Sequence, residues 1–404
     1  MVEMKKYKLS DLCDVFGRIG FRGYTVNDLV AKGEGAITFS PSDINNFTLS
    51  YDNCTYISLY KYEESPEIKV FNGNIIFTKT GSSIGKTAYV ENLTEKATIN
   101  PQFVVLKNFK CNGKYLFYIL TSKWFQKSVW NIVVGSTVPT MSQEDFKKRE
   151  VYLPERHIQD QVASALSTLD QRIENLRAQN RVLEQTAKTI YDYTFLQCAG
   201  HQTTYNKTLN RNIPAGWEVD NLYRIADFTN GLACQKYRPM TERDKLPVIK
   251  IREMHDGITA DTEFVRSNIP EKVIVNPGDL LFSWSASLEV MMWNGVKGGL
   301  NQHIFKVTPK EYFSLYYVYF QLKDYIGNFK RMAEARKTTM GHITTDHLNQ
   351  SRIAVPDEET MKRFSSRVTP LFKKQLVNSQ QIETLTTQRN TLLPLLMTGQ
   401  ILVG

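Results

Sequence analysis

A short stretch near residue 80 contains residue types that bind nucleotide phosphates. Residues 81–87 have the sequence Gly-Ser-Ser-Ile-Gly-Lys-Thr, with three residues between the two glycines. The phosphate-binding loop of nucleotide hydrolases needs one more residue there, so that its backbone amides surround the β-phosphate. A matching stretch later in the chain, 285–289, has no lysine. The pattern therefore argues against nucleotide hydrolysis but leaves contact with a DNA phosphate open.

Two further groups of residues are candidates for metal chemistry, and both are weak. Asp52 with Glu67 and Lys69 has the residue types of a nuclease centre, but metal-dependent cleavage needs a converging carboxylate cluster. His342 and His347 are five positions apart, with no cysteine or third histidine nearby to complete a zinc site. No glycine-rich turn follows a first strand, as a dinucleotide or adenosylmethionine pocket would require. We therefore expect no catalytic centre, no metal and no cofactor in this chain.

Basic and polar side chains are instead concentrated in loops that could contact DNA. Lysine and arginine bind phosphates, while Gln, Ser, Thr and Arg can also hydrogen-bond to base edges. The candidates in the first half are Arg18, Arg22, Lys79, Thr80, Ser82, Ser83, Lys86, Ser136, Thr137 and Thr140. The candidates in the second half are Gln235, Lys236, Arg238, Ser283, Trp284, Ser285, Arg336, Lys337, Thr338, Thr339 and His342. For any single residue an ordinary solvated loop is an equal alternative, so the clusters are better supported than their members.

The elements that position these loops occur twice, in the same order. Each copy has a turn and a buried strand, a segment beginning with a hydrophobic residue and Asn, an aromatic helix, a Gly/Thr-rich loop and a strand ending on proline. The matched segments are 71–77 with 276–282, 99–105 with 300–307, 115–120 with 313–318, 135–140 with 338–344, and 151–154 with 353–356. Such ordered self-similarity indicates a duplication.

A long helix is predicted after each copy. In the first, apolar residues alternate at spacings of three and four, which is a heptad seam. Its positions are Val162, Leu166, Leu169, Ile173, Leu176, Asn180, Leu183, Ala187 and Ile190. The second seam is Phe364, Val368, Leu371, Gln375, Asn378, Ile382, Leu385, Arg389, Leu392 and Leu396, with Pro394 and Gly399 marking its end. Because neither helix can bury its stripe alone, we predict that the two pair antiparallel; packing on its own domain or on a second copy is the alternative.

The predicted fold class is α+β, with two globular domains in a tandem pseudo-repeat joined by two long antiparallel coiled-coil helices. The boundaries are 1–154 for the first domain, 155–198 for the first helix, 199–356 for the second domain and 357–404 for the second helix. Two similar but unequal domains on a stiff support are suited to a split, asymmetric DNA site with half-sites about one helical turn apart, roughly 34 Å.

Composition agrees with a DNA-binding protein. The chain has 404 residues, 50 Lys and Arg against 41 Asp and Glu, and a net charge of +9, which favours a polyanionic partner. No run approaches the ~18 apolar residues of a membrane span, and no apolar segment follows the first residues as in a signal peptide. Five scattered cysteines without a CxxC pair favour reduced thiols. We therefore expect a cytoplasmic location.

The chain resembles the specificity subunits of type I restriction–modification systems over essentially its whole length. The resemblance is carried by 73–86, 278–285, 300–307 and the Gly135-Ser136-Thr137 loop followed by Leu153-Pro154 and a long helix. It implies that each globular unit is a target recognition domain for half of a split site. It also implies that the helices set the half-site separation and dock two modification (adenine methyltransferase) subunits, which restriction subunits then join. S-adenosylmethionine, ATP and magnesium would then belong to those partners. The residues that follow Pro154 and Pro356, at the start of each long helix, depart from the common pattern of this family. The resemblance therefore does not predict which of them contact the modification subunits.

Three alternatives remain open at this point. The first is a specificity subunit of another restriction class, whose single partner carries both methylation and cleavage. The second is a coiled-coil scaffold with two protein-binding heads, which predicts DNA affinity that is weak and insensitive to salt. The third is a standalone nuclease, which requires activity from the purified chain with magnesium alone.

Overall fold

The computed structural model describes residues 2–19, 22–135, 137–241, 243–285, 288–335 and 345–401, without the side chains of 333–335. The chain divides into two compact units, Met1–Arg172 with Leu385–Gly404, and Ile173–Thr384. These units group parts of the long helices with the globular parts. The boundaries drawn from the sequence give the helices segments of their own, and they stay a prediction.

The described residues of the first unit form thirteen strands. They are β1 Lys5–Lys8, β2 Asp14–Gly17, β3 Leu29–Val30, β4 Ala36–Phe39, β5 Ile44–Asn45, β6 Thr48–Leu49, β7 Thr55–Ile57, β8 Lys69–Val70, β9 Ile75–Thr78, β10 Thr87–Tyr89, β11 Ala97–Ile99, β12 Phe103–Lys107 and β13 Glu150–Leu153. Its helices are α1 Leu9–Leu12, α2 Leu59–Glu63, α3 Gly113–Thr121, α4 Lys123–Trp130, α5 Gln143–Lys147 and the start of α6 Arg156–Tyr191.

A four-stranded antiparallel sheet, in the order β10-β9-β12-β2, lies at the centre of the first unit. Side chains alternate across it because successive residues of a strand point to opposite faces. Ile75 and Phe77 lie in one core cluster, with the buried faces of α3, α4 and α5. Ile76 lies in the other, with the five-stranded sheet β3-β7-β4-β11-β8. All three are fully buried, which explains the uninterrupted apolar run.

The second unit has its own strands and helices. The strands are β14 Thr203–Asn206, β15 Arg211–Pro214, β16 Glu218–Asp220, β17 Ala226–Asn230, β18 Lys245–Ile249, β19 Phe264–Arg266, β20 Ile274–Val275, β21 Leu280–Ser283, β22 Glu289–Met292, β23 Gly298–Leu300, β24 Ile304–Pro309 and β25 Ile353–Val355. The helices are α7 Ile251–Asp256, α8 Leu315–Ala335, α9 Thr345–Gln350 and most of α10 Glu358–Met397.

Strand order confirms the duplication. The sheet β22-β21-β24-β17 repeats the order β10-β9-β12-β2, with the same antiparallel pairings. The sheet β19-β18-β23-β20 repeats β7-β4-β11-β8, including the parallel pair β18–β23 that corresponds to β4–β11. β1 pairs with β13 in the first unit, and β16 pairs with β25 in the second. The tandem α+β architecture is therefore confirmed, with β3, the β5–β6 pair and the β14–β15 hairpin as additions to one copy each.

The two long helices run antiparallel to each other. Within the first unit, Arg389 Nη1 donates to Asp170 Oδ1 at 3.0 Å. Within the second, Asn378 Nδ2 donates to Asn180 Oδ1 at 3.0 Å. Later residues of α6 thus face earlier residues of α10, which confirms the predicted pairing within one chain.

The ends of both helices also pack on the domains. Val162 and Leu166 of α6 are buried in the core of the first unit, whereas Phe364 and Val368 of α10 are buried in the core of the second. The sequence treated pairing and packing on a domain as alternatives, but each helix does both. Among the described residues, no helix has the length and apolar character needed to cross a membrane.

Candidate nucleic-acid interface

Two candidate loops of the first unit lie side by side. Thr80 and Thr140 form an antiparallel bridge, and the Gly81 amide donates to the Pro139 carbonyl at 2.8 Å. On the other side of the bridge, the Met141 amide donates to the Lys79 carbonyl at 2.9 Å. The structure therefore joins the 79–86 and 135–140 loops, which are distant in sequence, into one surface.

The glycines of the 79–86 loop make a tight connection between β9 and β10. Gly81 and Gly85 have φ of +91° and +93°, a conformation that favours glycine because it has no Cβ. Lys86 has an exposed side chain, but its Nζ donates to the carbonyls of Pro41 and Ile44 at 3.0 and 3.2 Å. The glycine spacing that resembled a phosphate-binding loop therefore belongs to a strand turn, and Lys86 fixes a neighbouring loop.

Hydroxyl groups remain available on this joined surface. Ser82 and Thr137 are exposed, whereas Thr80, Ser83 and Thr140 are partly exposed. Thr140 Oγ1 donates to the Val138 carbonyl at 3.2 Å, which leaves its lone pairs as acceptors. These groups could hydrogen-bond to phosphate or to a base edge.

Lys79 is the cation at the centre of this surface. Its side chain extends over Gly17, where a Cβ would lie 3.4 Å from the Lys79 Nζ. Burial lowers the pKa of Lys79. Among the described residues its ammonium group has no recorded ion pair or hydrogen bond. A half-buried cation without a carboxylate is suited to an anionic or acceptor-rich partner from outside.

Arg18 and Arg22 both donate hydrogen bonds within the first unit, although Arg22 stays partly exposed. The Arg18 guanidinium is buried and donates to the carbonyls of Ile99 and Arg22, both at 3.1 Å, and to Thr98 Oγ1 at 3.3 Å. Burial lowers the pKa of Arg18. Arg22 donates to the Glu64 carbonyl at 3.3 Å. The structure corrects the sequence-based expectation for Arg18, because its donors are used to hold its own loop.

In the second unit, Gln235, Lys236 and Arg238 are exposed on and after a single turn of 3₁₀ helix, Cys234–Lys236. Two cations that the sequence reasoning missed belong to strands of the same unit. Lys245 and Arg266 are direct partners in the β18–β19 register, an arrangement that places like charges opposite each other.

Aromatic rings support these two cations. Lys245 Nζ lies 4.4 Å from the centroid of the Phe264 ring, and Arg266 Cζ lies 5.3 Å from that of the Tyr237 ring. Interleaving of aromatic and basic residues in 237–238 and 264–266 is the sequence signal that could have found them.

The three residues Ser283, Trp284 and Ser285 differ in how deeply they are buried. Ser283 is fully buried and its Oγ accepts from the Glu289 amide at 3.2 Å, so its placement is structural. Ser285 is also buried. Trp284 is partly exposed, and its indole Nε1 donates to Asn230 Oδ1 at 3.3 Å. Of these three residues, therefore, only Trp284 is partly exposed.

Several candidates lie outside the described residues. They are Ser136, Arg336, Lys337, Thr338, Thr339 and His342. Two residues of the weak nuclease candidate make contacts outside that group. Lys69 forms an ion pair with Glu63, and Glu67 lies near Arg22. Within the described ranges, no three His, Cys, Asp or Glu side chains are grouped to hold a metal.

The repeated architecture matches a known family. The profile of the type I restriction modification DNA specificity domain matches residues 1–185 and 214–387. The chain belongs to this family. It is thus the DNA-specificity, non-catalytic component of a type I restriction–modification system.

Individual relatives agree with this assignment. The chain is 25% identical to the type I restriction enzyme MjaIX specificity subunit of Methanocaldococcus jannaschii, over 90% of this chain and 86% of that protein. It is 20% identical to the HindI specificity subunit of Haemophilus influenzae, over 99% and 100% of the two chains. The crystal structure of a type I S subunit from M. genitalium is similar in fold, with a TM-score of 0.59, 15% identity and coverage of 98% and 96%.

Proposed function

We propose that the two domains bind the two unlike halves of a split, asymmetric DNA site. The observation that carries this proposal is that the same strand order occurs in both units while the corresponding loops differ in chemistry. In the first unit the exposed surface next to β9 has Lys79 and several hydroxyls, whereas Trp284 follows β21 in the second. Different side chains at equivalent places select different bases.

Basic side chains supply affinity for the phosphate backbone. In the second unit this role belongs to Lys236, Arg238, Lys245 and Arg266. Phosphate contacts position a protein on the duplex, and they make binding weaker as salt concentration rises. The excess of positive charge over the whole chain acts in the same direction.

The chemistry belongs to partner subunits in this proposal. Two modification subunits that carry adenine methylation dock on the long helices, and restriction subunits join that complex. S-adenosylmethionine, ATP and magnesium are bound by those partners. Support comes from the family assignment and from the relatives, whose names describe specificity subunits of type I restriction enzymes.

Mapping of methylated adenines tests the split site. The chain is produced with its modification subunit in a host without other adenine methylation, and the genome is sequenced by a single-molecule method. We expect one motif with two unlike halves separated by unspecified bases. Methylation without such a motif would contradict the proposal, and so would methylation that does not depend on this chain.

The salt dependence of DNA binding separates a DNA reader from a protein-binding scaffold. For the complex of this chain with its modification subunit, log K should fall linearly with log salt. The double substitution Lys236→Gln and Arg238→Gln should reduce that slope by about one per cation removed. Lys207→Gln, on the exposed β14–β15 hairpin, is the matched control and should leave the slope unchanged. Weak binding with no salt dependence would favour the scaffold.

A further inference from the structure

The backbone places three positions of each unit in equivalent surroundings. In the first unit the Lys79 amide donates to the Gln102 carbonyl at 2.7 Å, and in the second the Trp284 amide donates to the His303 carbonyl at 3.2 Å. Position 79 therefore corresponds to 284, and position 102 corresponds to 303.

An asparagine fixes the turn before each central strand. Asn100 Oδ1 accepts from the Gln102 amide at 3.0 Å, and Asn301 Oδ1 accepts from the His303 amide at 3.2 Å. The backbone amides of these asparagines donate to carbonyls of equivalent strands. The Asn100 amide donates to the Phe39 carbonyl at 3.0 Å, and the Asn301 amide donates to the Ile249 carbonyl at 3.1 Å. Residues 102 and 303 are consequently presented by the same local structure, and their side chains are the part that differs.

The neighbouring strand supplies the third position. Gly17 is opposite Val104 in the β2–β12 register, and Asn230 is opposite Phe305 in the β17–β24 register. The space above Gly17 is bordered by Gln143 Oε1 and by the ammonium of Lys79, whereas Asn230 accepts the indole N–H of Trp284. Each group of three thus lies at one end of its four-stranded sheet, where the candidate loops begin.

The first group offers hydrogen-bond donors. Gln102 Oε1 accepts from Asn100 Nδ2 at 3.1 Å, which orients the amide so that its NH₂ group is left to donate. The Lys79 ammonium next to it has no carboxylate within the described residues, and burial lowers its pKa. A donor pair of this kind matches a base edge that carries two acceptors.

The second group offers a flat apolar surface. The rings of Trp284 and His303 have centroids 5.6 Å apart, and Trp284 also packs on Phe305 at 5.9 Å. The indole N–H is engaged by Asn230. His303 Nε2 lies 3.3 Å from Gln302 Nε2, so its outward polarity is also partly used. Such a surface matches the methyl group of thymine better than a polar base edge.

We propose that these equivalent positions determine sequence specificity in both domains, and that they select a different base in each. Lys79 and Gln102 contact the O6 and N7 acceptors of a guanine in the half-site of the first domain. Trp284 and His303 contact a thymine methyl group in the half-site of the second domain. This inference rests on the proposed function and names the residues that make its two half-sites unlike.

Single substitutions in the complex with the modification subunit test each half separately. Gln102→Ala should relax one base pair of the first half-site, with a roughly ten- to hundredfold loss of discrimination, and leave the second half unchanged. His303→Ala should relax one base pair of the second half only. The readouts are the methylated motif and the affinities for duplexes altered at one base pair, with Lys207→Ala as the control that keeps both halves.

Conservative variants guard against misfolding. Gln102→Asn retains the amide group and His303→Phe retains a flat ring, and thermal unfolding of each variant is compared with that of the parent chain. The inference is overturned if the parent methylates a split motif while every folded variant keeps both halves intact. A parent that gives no split motif overturns the proposed function itself, and this inference with it.

Discussion

At the scale of single residues, the clearest result is that a basic side chain in a DNA-binding protein can be entirely structural. Arg18 has the residue type and the glycine-rich neighbourhood expected for a phosphate contact. Its guanidinium nevertheless donates inside the first unit, to a carbonyl 81 residues further along the chain. Lys79 shows the opposite arrangement, because its ammonium is partly buried with no recorded internal partner among the described residues. Residue type alone does not separate these two cases.

We predict that Arg18→Gln destabilises the first domain. The substitution removes a buried guanidinium together with its hydrogen bonds, and it leaves the carbonyl of Ile99 without its donor. The expected loss in the free energy of unfolding is about 2–4 kcal/mol. Urea denaturation of the purified chain measures it, and Arg238→Gln, an exposed arginine, should change that free energy by less than about 0.5 kcal/mol. Equal stability of the two variants would show that Arg18 has no structural role.

At the scale of elements, the start of α10 is held by an aspartate. Asp357 Oδ1 accepts from the Thr360 amide at 2.8 Å, and Oδ2 accepts from Thr360 Oγ1 at 2.9 Å and from Trp217 Nε1 at 3.0 Å. Burial raises the pKa of Asp357, but these hydrogen bonds to the carboxylate outweigh it and keep the pKa below its ordinary value of 3.8. The carboxylate therefore stabilises the folded state.

The sign of this shift predicts a pH dependence. Because the pKa in the folded state is lower than in the unfolded state, the stabilisation is present above the unfolded value and is lost as pH falls through the folded one. Asp357→Ala should cost about 1 kcal/mol near neutral pH. That difference from the parent should shrink as pH falls from the ordinary pKa of 3.8 through the lower pKa of the folded state. Urea midpoints of both chains across this range measure the effect, and a difference independent of pH would contradict it.

A polar layer interrupts the apolar seam of the paired helices. Asn378 is fully buried and donates to Asn180 Oδ1 at 3.0 Å and to Gln179 Oε1 at 3.3 Å. Asn180 Nδ2 donates in turn to Ser379 Oγ at 3.1 Å. Buried asparagines at seam positions fix the register of coiled coils at some expense of stability.

We predict that the two asparagines are energetically coupled. Asn378→Leu alone leaves Asn180 Oδ1 without its donor and should destabilise the chain by about 1–3 kcal/mol. The double substitution Asn180→Leu with Asn378→Leu should recover most of that loss, because two apolar groups replace two partners. Denaturation of the parent, both single variants and the double variant gives the coupling energy. A coupling energy near zero would show that the layer does not act as a unit.

At the scale of the whole molecule, the functional expectation concerns the length of the helices. If α6 and α10 set the separation of the half-sites, deletion of one heptad from each removes about 10 Å of helix. That length corresponds to about three base pairs of duplex. The methylated motif should then have a shorter spacer, or DNA binding should be lost. The two half-sites should keep their sequences, and an unchanged spacer would refute the role of the helices as a ruler.

Much of the architecture was predictable because it follows from the local spacing of apolar residues along the chain. The matched segments at 71–77 and 276–282 became β9 and β21 with their preceding turns, at the same place in the sheet order of each unit. The heptad seams became α6 and α10, and they pair antiparallel. Side-chain periodicity follows directly from the geometry of strands and helices, so these elements needed no long-range information.

The candidate interface was predictable only in part. The loops 79–86 and 135–140 were both identified, but the bridge that joins them, Thr80 to Thr140, connects residues far apart in sequence. Gln102 and His303 were missed because their significance depends on the neighbouring strand ends. Lys86 and Arg18 were identified as contacts, although their donors are used by carbonyls elsewhere in the first unit.

The sequence by itself determined the duplication, the class of the matched elements and the antiparallel pairing of the two long helices. Those properties depend on which residues are apolar and at what spacing, since a helix or strand must bury its apolar face. Only the tertiary structure decided which polar groups are engaged within the protein and which remain accessible. A hydrogen bond depends on distances of a few tenths of an ångström, and those are fixed by how all the strands and loops pack together.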